Sequence, residues 1–140
     1  MSRDRGSVLM LMPAAVLIVL LLGAVAVDLT VIHLQQRAGI SAAGSAANDA
    51  VTYGLDQAAL RRGDGYHLDP DRVRLAVLEA LAAQGLTDEL TAPPRITITA
   101  PDTVTVSLDL RADYLFARAI PHGPRSTTVH ATATATAEQR

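Results

Sequence analysis

The sequence predicts an α+β fold: a long N-terminal helix, transmembrane then stalk, a second helix, and a small antiparallel three-stranded sheet. Three observations carry that expectation. Residues 6–27 hold no charge, residues 29–60 hold no proline and many helix formers, and beyond Pro94 the apolar period changes from 3.6 to 2. The chain divides accordingly into an N-terminal segment (1–7), a transmembrane helix (8–27), a helical stalk (28–62) and a small α+β head (63–140).

The first element is set by hydropathy. The uncharged run is 22 residues, GSVLMLMPAAVLIVLLLGAVAV, with Arg3, Asp4 and Arg5 before it and Asp28 after it. As a helix it is about 33 Å long, enough for a hydrocarbon core of about 30 Å. Pro13 falls within the first two turns, where a missing N–H matters least, so at most a mild bend is expected. Arg3 and Arg5 outweigh Asp4, whereas the first arginine after the span is Arg37. The N-terminus is therefore expected in the cytoplasm and the C-terminal domain outside, in a single-pass membrane protein. A competing reading is a secreted binding module released by signal peptidase after Ala26, since Ala24-Val25-Ala26 is a small-x-small site. The apolar run is long for a signal peptide, and no polar segment precedes Ala24.

The stalk is expected to continue the same helix to a turn at Arg61-Arg62-Gly63-Asp64-Gly65. Gly39, Ala43 and Ala47 recur at i+4, as do Ala38, Ala42 and Ala46. Such a small-residue face permits close backbone approach to a neighbouring helix and marks a surface for partners or a second copy of the chain. Alanine is also a strong helix former, so the pattern has a local explanation as well. Gly39, Gly44 and Gly54 are candidate bends.

Asp69-Pro70-Asp71 reads as an N-cap, a first-turn proline and an acid at the positive helix end. A second helix follows over residues 70–84, with Val73, Val77, Leu78 and Leu81 on its apolar face and Gly85 as its stop. Ile96 and Ile98, then Val104, Val106, Leu108 and Leu110, alternate with polar residues around Ala100-Pro101-Asp102, a hairpin with one apolar face. Residues 127–137 alternate again, with Val129, Ala131, Ala133, Ala135 and Ala137 on one side. They supply the third strand that a hairpin needs in water. Between strands two and three, the only Phe of the chain stands with Tyr114, Leu115 and Ile120. Tyr114, Leu115 and Phe116 form either a buried lid over the sheet or a loop at the membrane interface, where Tyr and Arg tolerate a half-polar setting.

Composition narrows the function. The 140 residues include 25 alanines, four aromatics, no cysteine and no lysine, so all 12 basic residues are arginine against 14 acids. A net charge of -2 gives no basic field for nucleic acid, and the absence of cysteine removes disulfides and thiolate sites. His33, His67, His122 and His130 have no zinc-binding spacing, and neither a phosphate loop nor a nucleophile elbow occurs. Asp64, Asp69 and Asp71 lack the ligand pattern of a calcium loop and suit turn and capping roles. No catalytic residue, metal or cofactor is expected.

The order of parts resembles the TadE/TadG-like pilus-assembly proteins of the tight-adherence (Flp) system. The resemblance rests on Arg5-Gly6-Ser7 before the span, Ala26-Val27-Asp28 closing it, Ala47-Asn48-Asp49-Ala50 in the alanine-rich continuation, and the final Val-His-Ala-Thr-Ala-Thr-Ala strand. It implies a pilin-like fold and a non-enzymatic assembly factor or minor pseudopilin, anchored in the bacterial inner membrane. Such a protein meets other pilus or secretion-system subunits through its N-terminal helix. It also raises processing between Gly6 and Ser7, but pilin precursors cut there carry glutamate where this chain has Leu11. That departure favours an unprocessed, TadG-like member.

Overall fold

The computed structural model describes the backbone of residues 5–137 and the side chains of residues 11–137. Three α-helices, α1 (Arg5–Tyr53), α2 (Gln57–Arg62) and α3 (Pro70–Ala83), accompany three strands, β1 (Arg95–Ala100), β2 (Thr103–Asp113) and β3 (Ser126–Thr136). The α+β expectation holds. The sheet is antiparallel in the order β1-β2-β3, with Val104 opposite Ala135, Val106 opposite Ala133, Leu108 opposite Ala131 and Leu110 opposite Val129.

Helix α1 is 49 residues, about 73 Å at 1.5 Å per residue, and it runs without a break through Pro13. It ends at Tyr53 instead of continuing to Arg62. Gly54 follows, where no larger residue fits: a Cβ there would lie 2.2 Å from Ala50 O of α1 itself and 2.5 Å from Val73 Cγ2 of α3. The chain restarts as the short α2, capped by Asp56, whose carboxylate accepts from Ala58 N at 2.8 Å and Ala59 N at 3.2 Å. Those two amides hold the Asp56 carboxyl below its ordinary value, outweighing desolvation. Gly63 closes α2 in the left-handed region at φ 78°.

Helix α3 begins as its local chemistry dictates, with the Asp69 carboxylate accepting from Asp71 N at 3.0 Å and Arg72 N at 3.5 Å. Its inward face is Val73, Ala76, Val77, Ala80 and Leu81. Leu78, expected on that face, is 42% exposed, because the contact stripe is narrow and two alanines fill it.

The core lies between the apolar face of the sheet and the two long helices. Against Val104, Val106, Leu108 and Leu110 of β2, α1 places Ala42, Ala43, Ala46, Ala47, Ala50 and Val51, all buried. The small-residue stripe expected to meet another helix is thus covered by the chain's own sheet and α3. Gly39 belongs to the same buried stripe, and a Cβ on it would lie 2.7 Å from Leu110 Cδ1 and 3.1 Å from Ala131 Cβ. Only Ala38 of the six residues faces solvent. Small side chains here bring a helix onto a sheet, and β3 answers with alanines of its own. Of the segment read as a stalk, residues 39–51 supply the buried face that packs into the head, while residues 29–38 hold no buried residue.

Candidate membrane-proximal site

Before it reaches the head, α1 is bare. Large side chains from Leu11 through Leu22 and Val25 are more than half exposed, and the helix is long and apolar enough to cross a membrane. A soluble core helix would bury such residues, whereas only 6% of the most apolar stretch is buried. Ala24 and Ala26, the small-x-small site, lie within this unbroken helix. Gly6 and Ser7 lie in its first turns, with side chains outside the described residues, as are those of Arg3, Asp4 and Arg5.

The far end of the sheet returns to this helix. Gly39 is level with Leu110, and from there α1 runs back toward its bare apolar segment while β2 runs the same way to Asp113. The 114–125 connection is thereby brought level with Asp28. Its neck is closed by Tyr114 N donating to Arg125 O at 3.0 Å. A one-turn 3-10 helix, Ala117–Ala119, forms its tip, with Ala119 N donating to Phe116 O and Ile120 N to Ala117 O. Gly123 then tucks under this turn, where a Cβ would lie 2.4 Å from Ala117 O.

Three successive amides of that connection converge on one carboxylate. Leu115 N and Phe116 N donate to Asp28 Oδ1 at 2.7 and 2.9 Å, and Ala117 N donates to Oδ2 at 2.8 Å. Asp28 is 6% exposed and is the one buried charged side chain among the described residues. Burial pushes its carboxyl up, but the three amides, with Arg118 nearby, outweigh that and hold it below its ordinary value. A carboxylate buried without such donors would be costly; here it satisfies three backbone N–H groups that would otherwise be left without partners.

The connection therefore is not a lid buried on the sheet. Leu115, Phe116 and Ile120 are 46%, 50% and 58% exposed, and Tyr114 is half-buried. Phe116, Ala117 and Ile120 stand against Leu21, Ala24 and Val25 of α1 around an apolar groove of ≈ 280 Å³. Arg118 and Ala119 of the one-turn helix, with Arg111, Asp113 and Arg125, line an open cleft of ≈ 460 Å³. Arg111 Nε pairs with Asp113 Oδ1 at 3.0 Å.

Sequence reading placed Tyr114, Leu115 and Phe116 in this region but missed Asp28 as the residue that ties them down. The available signal was a lone carboxylate closing a 22-residue uncharged run. The other acids are dispersed: Asp64 pairs with Arg62, Asp69 caps α3, and Asp109 faces Arg95 and His130 on the sheet surface. Among the described residues no three His, Asp or Glu side chains are grouped as metal ligands. Compared with known protein families, with characterised proteins and with solved structures, the chain finds no match.

Proposed function

We propose that this chain is a single-pass membrane protein of the bacterial inner membrane, with its N-terminus cytoplasmic and its head outside. In this reading it serves a pilus or secretion assembly, without enzymatic activity, as an accessory or minor pseudopilin-like subunit of the TadE/TadG-like kind. The observation that carries the reading is α1 itself: a bare apolar segment of membrane-spanning length continues, without a linker, into the core of a small α+β head. The resemblance in Ala26-Val27-Asp28 and Ala47-Asn48-Asp49-Ala50 supplies the pilus system. Because the stripe from Gly39 to Ala47 is occupied within the chain, contact with other subunits falls to the span, where Met12, Pro13, Val16, Leu17 and Leu20 line an open apolar groove.

The test is expression in a bacterial membrane followed by carbonate extraction, intact mass, and crosslinking from a photoreactive residue at position 17. The reading expects a carbonate-resistant chain beginning at Met1 or Ser2 and crosslinked to another pilus or secretion-system subunit. A soluble chain beginning at Val27 would instead establish the secreted module, and crosslinks to lipid alone would remove the assembly role.

A further inference from the structure

The 114–125 connection contributes to two surfaces of different chemistry, Ala117 to one and Ala119 to the other. One is the apolar groove between Leu21, Val25, Phe116 and Ile120, with the amide-bound Asp28 in its lining. The other is the cleft with Arg111, Arg118 and Arg125. The charges of that cleft are not equally free. Arg111 is engaged by Asp113, and the Asp28 carboxylate is taken up by three amides. Arg118 and Arg125 form no ion pair among the described residues, although both are exposed. Two arginines without an ion pair thus line a cleft on the same connection whose Phe116, Ala117 and Ile120 line the apolar groove: Arg118, whose charge also bears on Asp28, in the one-turn helix, and Arg125 at the neck beside Tyr114.

We propose that this place seats an anionic phospholipid, with its phosphate on Arg118 and Arg125 and an acyl chain along Leu21, Val25, Phe116 and Ile120. Guanidinium groups match phosphate oxygens with paired donors, and they tolerate partial desolvation better than an ammonium does. A free phosphate would use the cleft and leave the adjoining groove empty. A lipid uses both, and the span holds the site at the depth where headgroup and chain meet. A zwitterionic headgroup carries no net negative charge for the two arginines to select, whereas an anionic one does. The inference rests on the membrane-anchored reading.

The full-length chain in nanodiscs of phosphatidylcholine and phosphatidylglycerol, released for native mass spectrometry, tests it. Phosphatidylglycerol is expected to be retained in preference to phosphatidylcholine. Arg118→Gln and Arg125→Gln should each reduce that preference about fivefold, and Ile120→Ser should reduce retention of either lipid. Arg118→Lys with Arg125→Lys keeps the charge but not the paired donors and should retain a preference between those of the wild type and the glutamine variants, which guards against loss through misfolding. Equal retention of the two lipids by the wild-type chain, or a preference unaltered by the glutamine variants, overturns the proposal. Capture of inorganic phosphate in purely zwitterionic nanodiscs, lost in the glutamine variants, overturns the lipid assignment. If carbonate extracts the wild-type chain, the anchored reading falls and this one with it; a carbonate-resistant chain without lipid preference removes this one alone.

Discussion

Helix α1 meets two surroundings with opposite side-chain strategies. Residues 11–27 carry Leu, Ile, Val and Met and leave them exposed, whereas residues 39–51 carry mainly Gly, Ala and Val and bury one face completely. Large aliphatic groups suit a fluid medium that adapts to them, since each contributes apolar area wherever it points. Against a rigid sheet, gain comes from approach, and a larger side chain would hold the two backbones apart. Two stretches of one helix can therefore both be apolar and still be specialised for different neighbours.

The contrast can be broken at either end. The largest effect is expected from Leu17→Arg with Leu20→Arg. At about 2.5–3.5 kcal/mol per central arginine, the pair should cost about 5–7 kcal/mol of insertion and release the chain from the carbonate-resistant fraction. Ala43→Leu should leave insertion unchanged but destabilise the head by about 1–3 kcal/mol in thermal or denaturant unfolding, because overpacking has nowhere to relax between α1 and β2. Ala15→Leu, the same change on the bare stretch, should leave head stability unaltered, and equal losses at both positions would refute the contrast. Asp28→Asn should raise hydrogen exchange at the Leu115, Phe116 and Ala117 amides about tenfold while the β2 and β3 amides keep their protection. Asp69→Ala should cost about 1 kcal/mol through the α3 cap, read as a lowered unfolding midpoint.

The smallest effect concerns pH. Because the Asp28 carboxyl is held below its ordinary value of 3.8, its contribution is fully present above that value and is lost as pH falls through the lower folded-state value. The 114–125 connection should therefore loosen only in strong acid, with no change between pH 5 and 8. Loosening near neutrality, seen as new proteolysis at Arg118, would contradict the arrangement.

What could be read from the chain was what its neighbours in sequence determine. Asp69-Pro70-Asp71 starts a helix by local hydrogen bonds, and the alternation from Ile96 to Leu110 and from Val129 to Ala135 fixes which strand face is buried. The stripe from Gly39 to Ala47 announced a close approach but not its partner, since helix and sheet place the same demand on side-chain size. Leu78 was assigned inward because periodicity alone gives the centre of a face and not its width. Gly54 is a candidate bend in the sequence, but that α1 stops there could not be told apart from a bend, since the close approach of Val73 is a contact made only after folding. At Asp28 the sequence singles out the acid, alone at the end of an uncharged run, but not what it holds: its donors are backbone amides 87 to 89 residues away, and amides leave no mark in a sequence.

The clamp at Asp28 also has a mechanical meaning. Between the last bare residues of α1 and its first buried ones there is no hinge, and the 114–125 connection braces that junction from the side. Continuous helix and lateral brace together resist bending at this junction, so tipping the head would tend to carry the hydrophobic segment with it, and removing the carboxylate at position 28 would take away the brace.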